Sequence, residues 1–260
     1  RHFMAKEIAE QPEAVSSAMR RRVDFDGGTI NLQEVPFTDE QIRSIDRVVV
    51  SGMGTSLHSC MYGAQMIEAL AGIPAQAENA SELRYRQTAL NDRTLVISVT
   101  QSGETADTLA AMEMSAESGS RQLALVEAEG TQATLVANGT LYLGAGQEIG
   151  VASTKTMMCS LAVLYQLAVY LGERRGSLSA AQVSDFVSDL SRLPGLIAEM
   201  IDDGGNAERL ARERLVNKQH LMYLGRGALH PMAMEGALKM KELAYLHAEG
   251  YPAGEMKHGP

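Results

Sequence analysis

Apolar positions along the chain follow two alternating patterns. Short runs rich in β-branched and aliphatic residues, at 48–50, 95–99, 122–126 and 140–143, predict strands. Apolar residues at helical spacing fill 57–71, which Gly72-Ile73-Pro74 stops, and a second helix is expected over 105–117. A short helix is expected between the last two strands, and an N-terminal one over 5–22, ended by Asp24-Phe25-Asp26-Gly27-Gly28. Strand, helix, strand in this rhythm predicts an α/β fold: a doubly wound parallel sheet flanked by helices.

The run 157–171, MMCSLAVLYQLAVYL, is nearly unbroken in its apolarity. It is shorter than the ~18 residues of a membrane span, and Ser160 and Gln166 interrupt it, so a helix buried in a core is expected. Residues 176–215 are more polar and largely helical in pattern; they read as a connector broken at Pro194. A further strand is expected at 221–224, ending in Gly225-Arg226-Gly227.

That last feature repeats an earlier one. A shift of 173 residues (225 − 52) aligns Gly52 with Gly225, Gly54 with Gly227, Gly63 with Gly236, and Ala64 with Ala237, without a gap. Leu70 meets Leu243, Ala71 meets Ala244 and Ala75 meets Ala248, and the register holds on through residues 80–85 against 253–258. The chain therefore holds two copies of one α/β unit, the second expected to be cut short at Pro260. The first residue is Arg, which suggests a piece of something longer.

Composition narrows the function. The 260 residues carry 23 Lys and Arg against 32 Asp and Glu, a net charge of −9, which argues against a general nucleic-acid binder. An anionic ligand would have to be held by local geometry against that field. Arg20-Arg21-Arg22 reads as a phosphate patch or, more simply, as a basic helix end favoured by the macrodipole. Cys60 and Cys159 both sit in apolar runs and form no disulfide framework, and no secretory signal opens the chain, so a reducing, cytoplasmic setting is expected.

Two strand-ending loops are crowded with small hydroxyls: Ser51-Gly52-Met53-Gly54-Thr55-Ser56 and Thr100-Gln101-Ser102-Gly103-Glu104-Thr105. Such residues commonly cap helices. On adjacent strands of an open sheet they also stand where ligands bind, and a helix N-terminus there can hold a phosphate without lysines. A third loop, 144–155, is long and glycine-rich with Ser153 and Thr154 before the apolar helix. It lacks the Walker ending, and Gly52-Met53-Gly54 lacks the third glycine of the dinucleotide fingerprint, so neither ATP nor NAD is indicated and no cofactor is expected.

Titratable groups are densest over 235–258. Glu235, Lys239 and Glu242 share one helix face, where the first copy has Met66 opposite Lys239 and Ala69 opposite Glu242. Surface pairing would explain such a trio. Charge on a helix that the fold otherwise keeps apolar, with His247, Glu249, Glu255, Lys257 and His258 nearby, suits proton movement beside a sugar carbonyl. No His-Glu-x-x-His spacing appears, and no metal is inferred.

The segments GTS at 54–56, TQSGETADTLAA at 100–111, EIGVASTK at 148–155 and EGALKMKELAYLHAEGYPAGEMKHGP at 235–260 resemble the isomerase half of the glucosamine-6-phosphate synthase family. That half consists of two sugar-isomerase (SIS) domains, in agreement with the repeat, and the likeness runs over essentially the whole chain. It implies a helical junction at 1–29, a first SIS domain at 30–176, a helical connector at 177–215 and the start of a second SIS domain at 216–260. It also implies that Thr55, Ser56, Thr100, Gln101, Ser102 and Thr105 bind the sugar phosphate, and that Val151 and Ser153 line the sugar. Thr100 stands where the family commonly has Ser. Glu242 would shuttle a proton between C1 and C2 and His258 would assist ring opening, with Glu235, Lys239 and Lys257 supporting.

The implied partners are a hexose 6-phosphate, a second protomer sharing the site and a glutaminase domain in the parent chain, with no nucleic acid and no membrane. The family's Schiff-base lysine lies in a C-terminal tail beyond the residues given. Three readings follow: the isomerase part of such an amidotransferase, a stand-alone double-SIS deaminase or deglycase, or a non-catalytic sugar-phosphate sensor.

Overall fold

A computed structural model describes residues 2–259. The first unit is built on five parallel strands: β3 (Arg47–Gly52), β4 (Ala75–Asn79), β5 (Thr94–Val99), β6 (Arg121–Val126) and β7 (Gly139–Tyr142), in the order β4-β3-β5-β6-β7. A two-stranded antiparallel ribbon, β1 (Val23–Asp24) with β2 (Thr29–Ile30), precedes them. The doubly wound parallel sheet read from the sequence is present. Its order reverses between β3 and β5, and crevices at such a reversal are where open α/β sheets bind ligands.

Helices cover both faces. α1 (Phe3–Met19), α2 (Asp39–Ser44), α3 (Thr55–Ala71), α7 (Lys155–Arg175) and α8 (Ala180–Asp202) enclose the larger core. α4 (Ala80–Leu83), α5 (Ala106–Glu117) and α6 (Gln132–Val136) cover the other side. α7 is long and apolar enough by length and composition to cross a membrane, yet most of it is buried inside the protein. It contributes Val163, Leu164, Leu167 and Leu171 to the core, and a Cβ on Gly63 of α3 would strike Leu164. Cys60 and Cys159 are buried and free; burial raises both thiols, Cys159 to about 12, which keeps them protonated.

Two expectations about the flanking helices need correcting. α8 runs unbroken through Pro194, and Val183, Val187 and Leu190 on it are buried in the first core, so residues 177–215 do more than connect. A proline removes one amide donor and leaves the turns on either side intact, so the helix continues where its apolar face is anchored in the core. α1 likewise packs Ala14, Val15, Ala18 and Met19 into that core. Arg22 is no phosphate patch: it is buried, pairing with Glu34 at 2.9 Å and donating to the Ala18 and Tyr142 carbonyls.

Beyond α9 (Gly204–Leu210) and a π-helical turn at Ala211–Leu215, the second unit has β8 (His220–Gly225), α10 (Leu229–Ala244), β9 (His247–Pro252) and a 3-10 turn at Ala253–Lys257. The 173-residue shift maps β3 onto β8 and the β4 start onto β9. Val48 pairs with Ala75 in the first unit, and Leu221 pairs with Ala248 in the second, in the same parallel register. The aligned strand-end glycines share one job: a Cβ on Gly52 would meet Ser56, and one on Gly225 would run into the Leu229 backbone. Each lets the following helix begin hard against its strand.

Candidate active site

The hydroxyl-rich loops at the carboxyl ends of β3 and β5, and the one before α7, could be expected to cap the helices they precede. α2 and α8, away from this end, open with capping boxes, Thr38 with Gln41 and Ser179 with Gln182, and α4 is capped by Asn79. α3, α5 and α7 have no side-chain cap at all. The hydroxyls in these loops therefore do not cap the helices they precede. The first turns of α3 and α7 instead face a cavity of about 150 Å³, lined by Met53, Thr55, Ser56, Ser59, Gln101, Ser153, Thr156, Met157 and Ser160. Such uncapped ends carry unpaired N–H groups and a partial positive charge, which is a seat for an anion.

Each loop is shaped by its own chemistry. Gly103 has φ +66°, and a Cβ there would collide with Thr131, so only glycine turns the 100–105 loop back onto α6. Ser102 is exposed and its hydroxyl accepts the Glu104 amide at 3.2 Å. The Thr100 and Thr105 hydroxyls bond to each other at 3.2 Å, with Thr100 buried. Of this loop, only Gln101 reaches the cavity wall.

The 144–154 loop is held by carboxylates. Glu7 of α1 accepts the Ile149 and Gly150 amides, Glu127 accepts those of Ala145 and Gly146, and Glu148 accepts the Thr154 amide and the Ser153 and Thr154 hydroxyls. Burial works to raise the Glu148 carboxyl, but the donors of residues 153–156 outweigh it and leave it below its ordinary value. Lys155, buried, reaches Glu10 of α1 at 2.8 Å. Val151 is a correction: pinned on both sides by these bonds, the loop turns its side chain outward at 96% exposure, away from the cavity that Ser153 lines.

The charged trio on α10 faces the first unit. Glu235 Oε1 accepts the Thr55 hydroxyl at 2.9 Å and stands 3.1 Å from Lys239 Nζ; Lys239 also reaches Thr55 Oγ1 at 3.2 Å and Glu242 Oε2 at 2.8 Å. Thr55 is therefore a correction in part. It lines the cavity, but its hydroxyl is taken up by the second unit, leaving its backbone and Ser56 to face a ligand. Glu235 Oε2 meets His58 Nδ1 at 2.6 Å, both residues being buried. Burial would raise the Glu235 carboxyl; the His58 hydrogen bond, the Lys239 charge and the Thr55 hydroxyl together hold it below its ordinary value.

His58 was not singled out by sequence. It is one histidine on an apolar helix, aligned with Pro231 in the repeat, and its partner lies 177 residues away. Lys257 and His258 are exposed at the 3-10 turn, which packs on β9, and neither joins the network around Thr55. Among the described residues, no group of three or more His, Cys, Asp or Glu side chains is placed to hold a metal ion.

The SIS domain model matches residues 41–170 and 214–260, the two segments that the repeat and the strand register define independently. This chain belongs to the SIS domain family. Its α/β units are SIS folds, the second represented by its first two strands and the helix between them. The chain is 45% identical over 262 residues to a glutamine–fructose-6-phosphate aminotransferase (isomerizing) of Pectobacterium atrosepticum, and 43% identical over 258 residues to that of Streptomyces coelicolor. These alignments cover 100% and 99% of this chain but 42% of each relative, so the chain spans about two fifths of their length. Among solved structures it is similar to the C-terminal domain of glucosamine-fructose-6-phosphate aminotransferase from Francisella tularensis. The TM-score is 0.94 at 34% identity, over 100% of this chain and 72% of the other.

Proposed function

We propose that this chain is the sugar-isomerase part of a glutamine–fructose-6-phosphate aminotransferase, acting in the cytoplasm on fructose 6-phosphate. The observation that carries the reading is the junction of two features at Thr55: a hydroxyl-lined cavity at uncapped helix ends, and the Glu235–Lys239–Glu242 chain that meets its wall. The relatives, similar over the whole chain, supply the sugar phosphate.

In this reading the phosphate sits against the first turns of α3 and α7, held by Ser56 and Gln101 and by backbone N–H groups, with Ser153 lining the sugar, which accounts for anion binding in a chain of net charge −9. Thr100 and Thr105 brace the loop that carries Gln101, and Ser102 stands at its exposed rim. Glu242, paired with Lys239, takes a proton from C1 or C2 of the open-chain sugar and returns it to the other carbon. Glu235 fixes Lys239, and Lys239 fixes Glu242. Lys257 and His258, exposed and outside this network, serve a site shared across a dimer, where His258 assists ring opening with Lys257 in support.

The test follows solvent deuterium entering C1 of fructose 6-phosphate, or C2 of the 2-amino-sugar product, in the full-length protein, with and without glutamine. Exchange together with glutamine-dependent formation of glucosamine 6-phosphate is expected. Release of ammonia from glucosamine 6-phosphate with no use of glutamine would instead establish a deaminase. Binding with no exchange at all would establish a sensor.

A further inference from the structure

The site as described leaves one buried titratable side chain without a role. His58 stands one helical turn beyond Thr55 on α3, in the first unit, and is 7% exposed. Its Nδ1 meets Glu235 Oε2 at 2.6 Å, while Glu235 Oε1 is held by Thr55 at 2.9 Å and Lys239 at 3.1 Å. The two oxygens of one carboxylate are thus gripped from different sides, which fixes its rotation as well as its position. Among the described residues, only His58 touches the Oε2 side. Take it away, and the carboxylate is free to turn about the Thr55–Lys239 contacts. Lys239 loses a fixed neighbour, and Glu242, held by Lys239 at 2.8 Å, loses its fixed position in turn.

We propose that His58 is a positioning residue: through Glu235 and Lys239 it holds Glu242 in line with the cavity, and so couples the first unit's binding wall to the second unit's proton carrier. This rests on reading Glu242 as that carrier. His58 does not line the hydroxyl-walled cavity, and its ring makes its one side-chain hydrogen bond to that carboxylate. Small displacements matter at this distance, because proton transfer needs hydrogen-bond reach between carrier and carbon.

Two variants of the full-length protein separate positioning from packing. In H58L the volume is filled and the donor lost. In H58N the amide nitrogen can occupy the place of Nδ1 and donate to Oε2. With fructose 6-phosphate in deuterated solvent, H58L is expected to exchange at least about tenfold more slowly than wild type at saturating substrate, with KM little changed, and H58N to recover most of the rate. Equal losses in H58L and H58N, or a loss confined to KM, would overturn the proposal. A second measurement needs no activity and so separates this claim from the functional reading beneath it: a double-mutant cycle of H58L with K239M in urea unfolding. Side chains that share Glu235 are expected to be non-additive. Additivity would overturn the chain of contacts even if the enzyme assignment stood, and non-additivity would uphold it even if wild type exchanged no deuterium.

Discussion

The two copies of the SIS unit share a backbone and differ in the polar groups they carry. β3 and β8 end at aligned glycines and pair with β4 and β9 in the same register, and α3 and α10 follow them in the chain. What differs is which side chains the shared positions carry. Tyr62, Met66 and Ala69 on α3 become Glu235, Lys239 and Glu242 on α10, whereas Thr55, Ser56 and His58 on α3 become Ala228, Leu229 and Pro231 at the start of α10. One copy presents hydroxyls and a histidine, the other charge, and the two helices meet so that Thr55 and His58 bond Glu235. The lesson is that a duplicated unit can assemble a polar network that neither copy contains, because complementary substitutions on two equivalent helices face each other once the helices pack.

The strongest way to break this division is to remove its central group. E235A leaves His58, Lys239 and Thr55 gathered around an empty buried position, and breaking a buried ion pair in this way costs about 3–5 kcal/mol. Urea unfolding is expected to show a loss of that size; a loss under about 1 kcal/mol would mean that the two helices pack without needing the network. On the binding side, the double variant S56A/Q101A removes hydrogen bonds to a charged ligand worth about 1.5–3 kcal/mol apiece. Calorimetry is expected to show fructose 6-phosphate affinity reduced at least about tenfold with the fold intact; unchanged affinity would remove the anion from the α3–α7 cavity.

The smallest effect is in pH. Glu235 is held below the ordinary carboxyl value of 4.5, so its contribution to stability is complete above that value and is lost as pH falls through the lower folded value. E235Q lacks this component. The stability gap between wild type and E235Q is therefore expected to narrow as pH falls below about 4.5 in urea titrations. A gap that stayed constant down to acid unfolding would contradict the pairing.

Much of this was legible in the sequence because it depends on periodicity and spacing. The parallel sheet follows from β-branched runs alternating with helical ones, and the 173-residue shift returns in the pairing of Val48 with Ala75 and Leu221 with Ala248. β4 and β9 gave no such signal. Ala75–Asn79 is half-buried and polar, and it becomes a strand only because β3 offers it a partner edge. Pro194 marks a break by local rules, yet α8 passes through it because its apolar face is anchored at Val183, Val187 and Leu190. Within the site, the i, i+4 and i, i+7 spacing of Glu235, Lys239 and Glu242 placed the trio on one face. Their partners were hidden, since Thr55 and His58 lie on another helix almost two hundred residues earlier. Val151 shows the opposite limit: the loop was legible, but the direction of its side chain depends on Glu7 and Glu148 taking the flanking amides.

The central claim is that the first copy binds and the second moves the proton, and E242Q separates the two. In the full-length protein with fructose 6-phosphate in deuterated water, E242Q is expected to bind the sugar phosphate with an affinity within about twofold of wild type by calorimetry, while deuterium entry at C1 of the sugar falls by about 10²-fold or more. Exchange by E242Q at the wild-type rate would contradict the account, placing the proton carrier elsewhere and leaving the charged face of α10 a structural contact between the two copies.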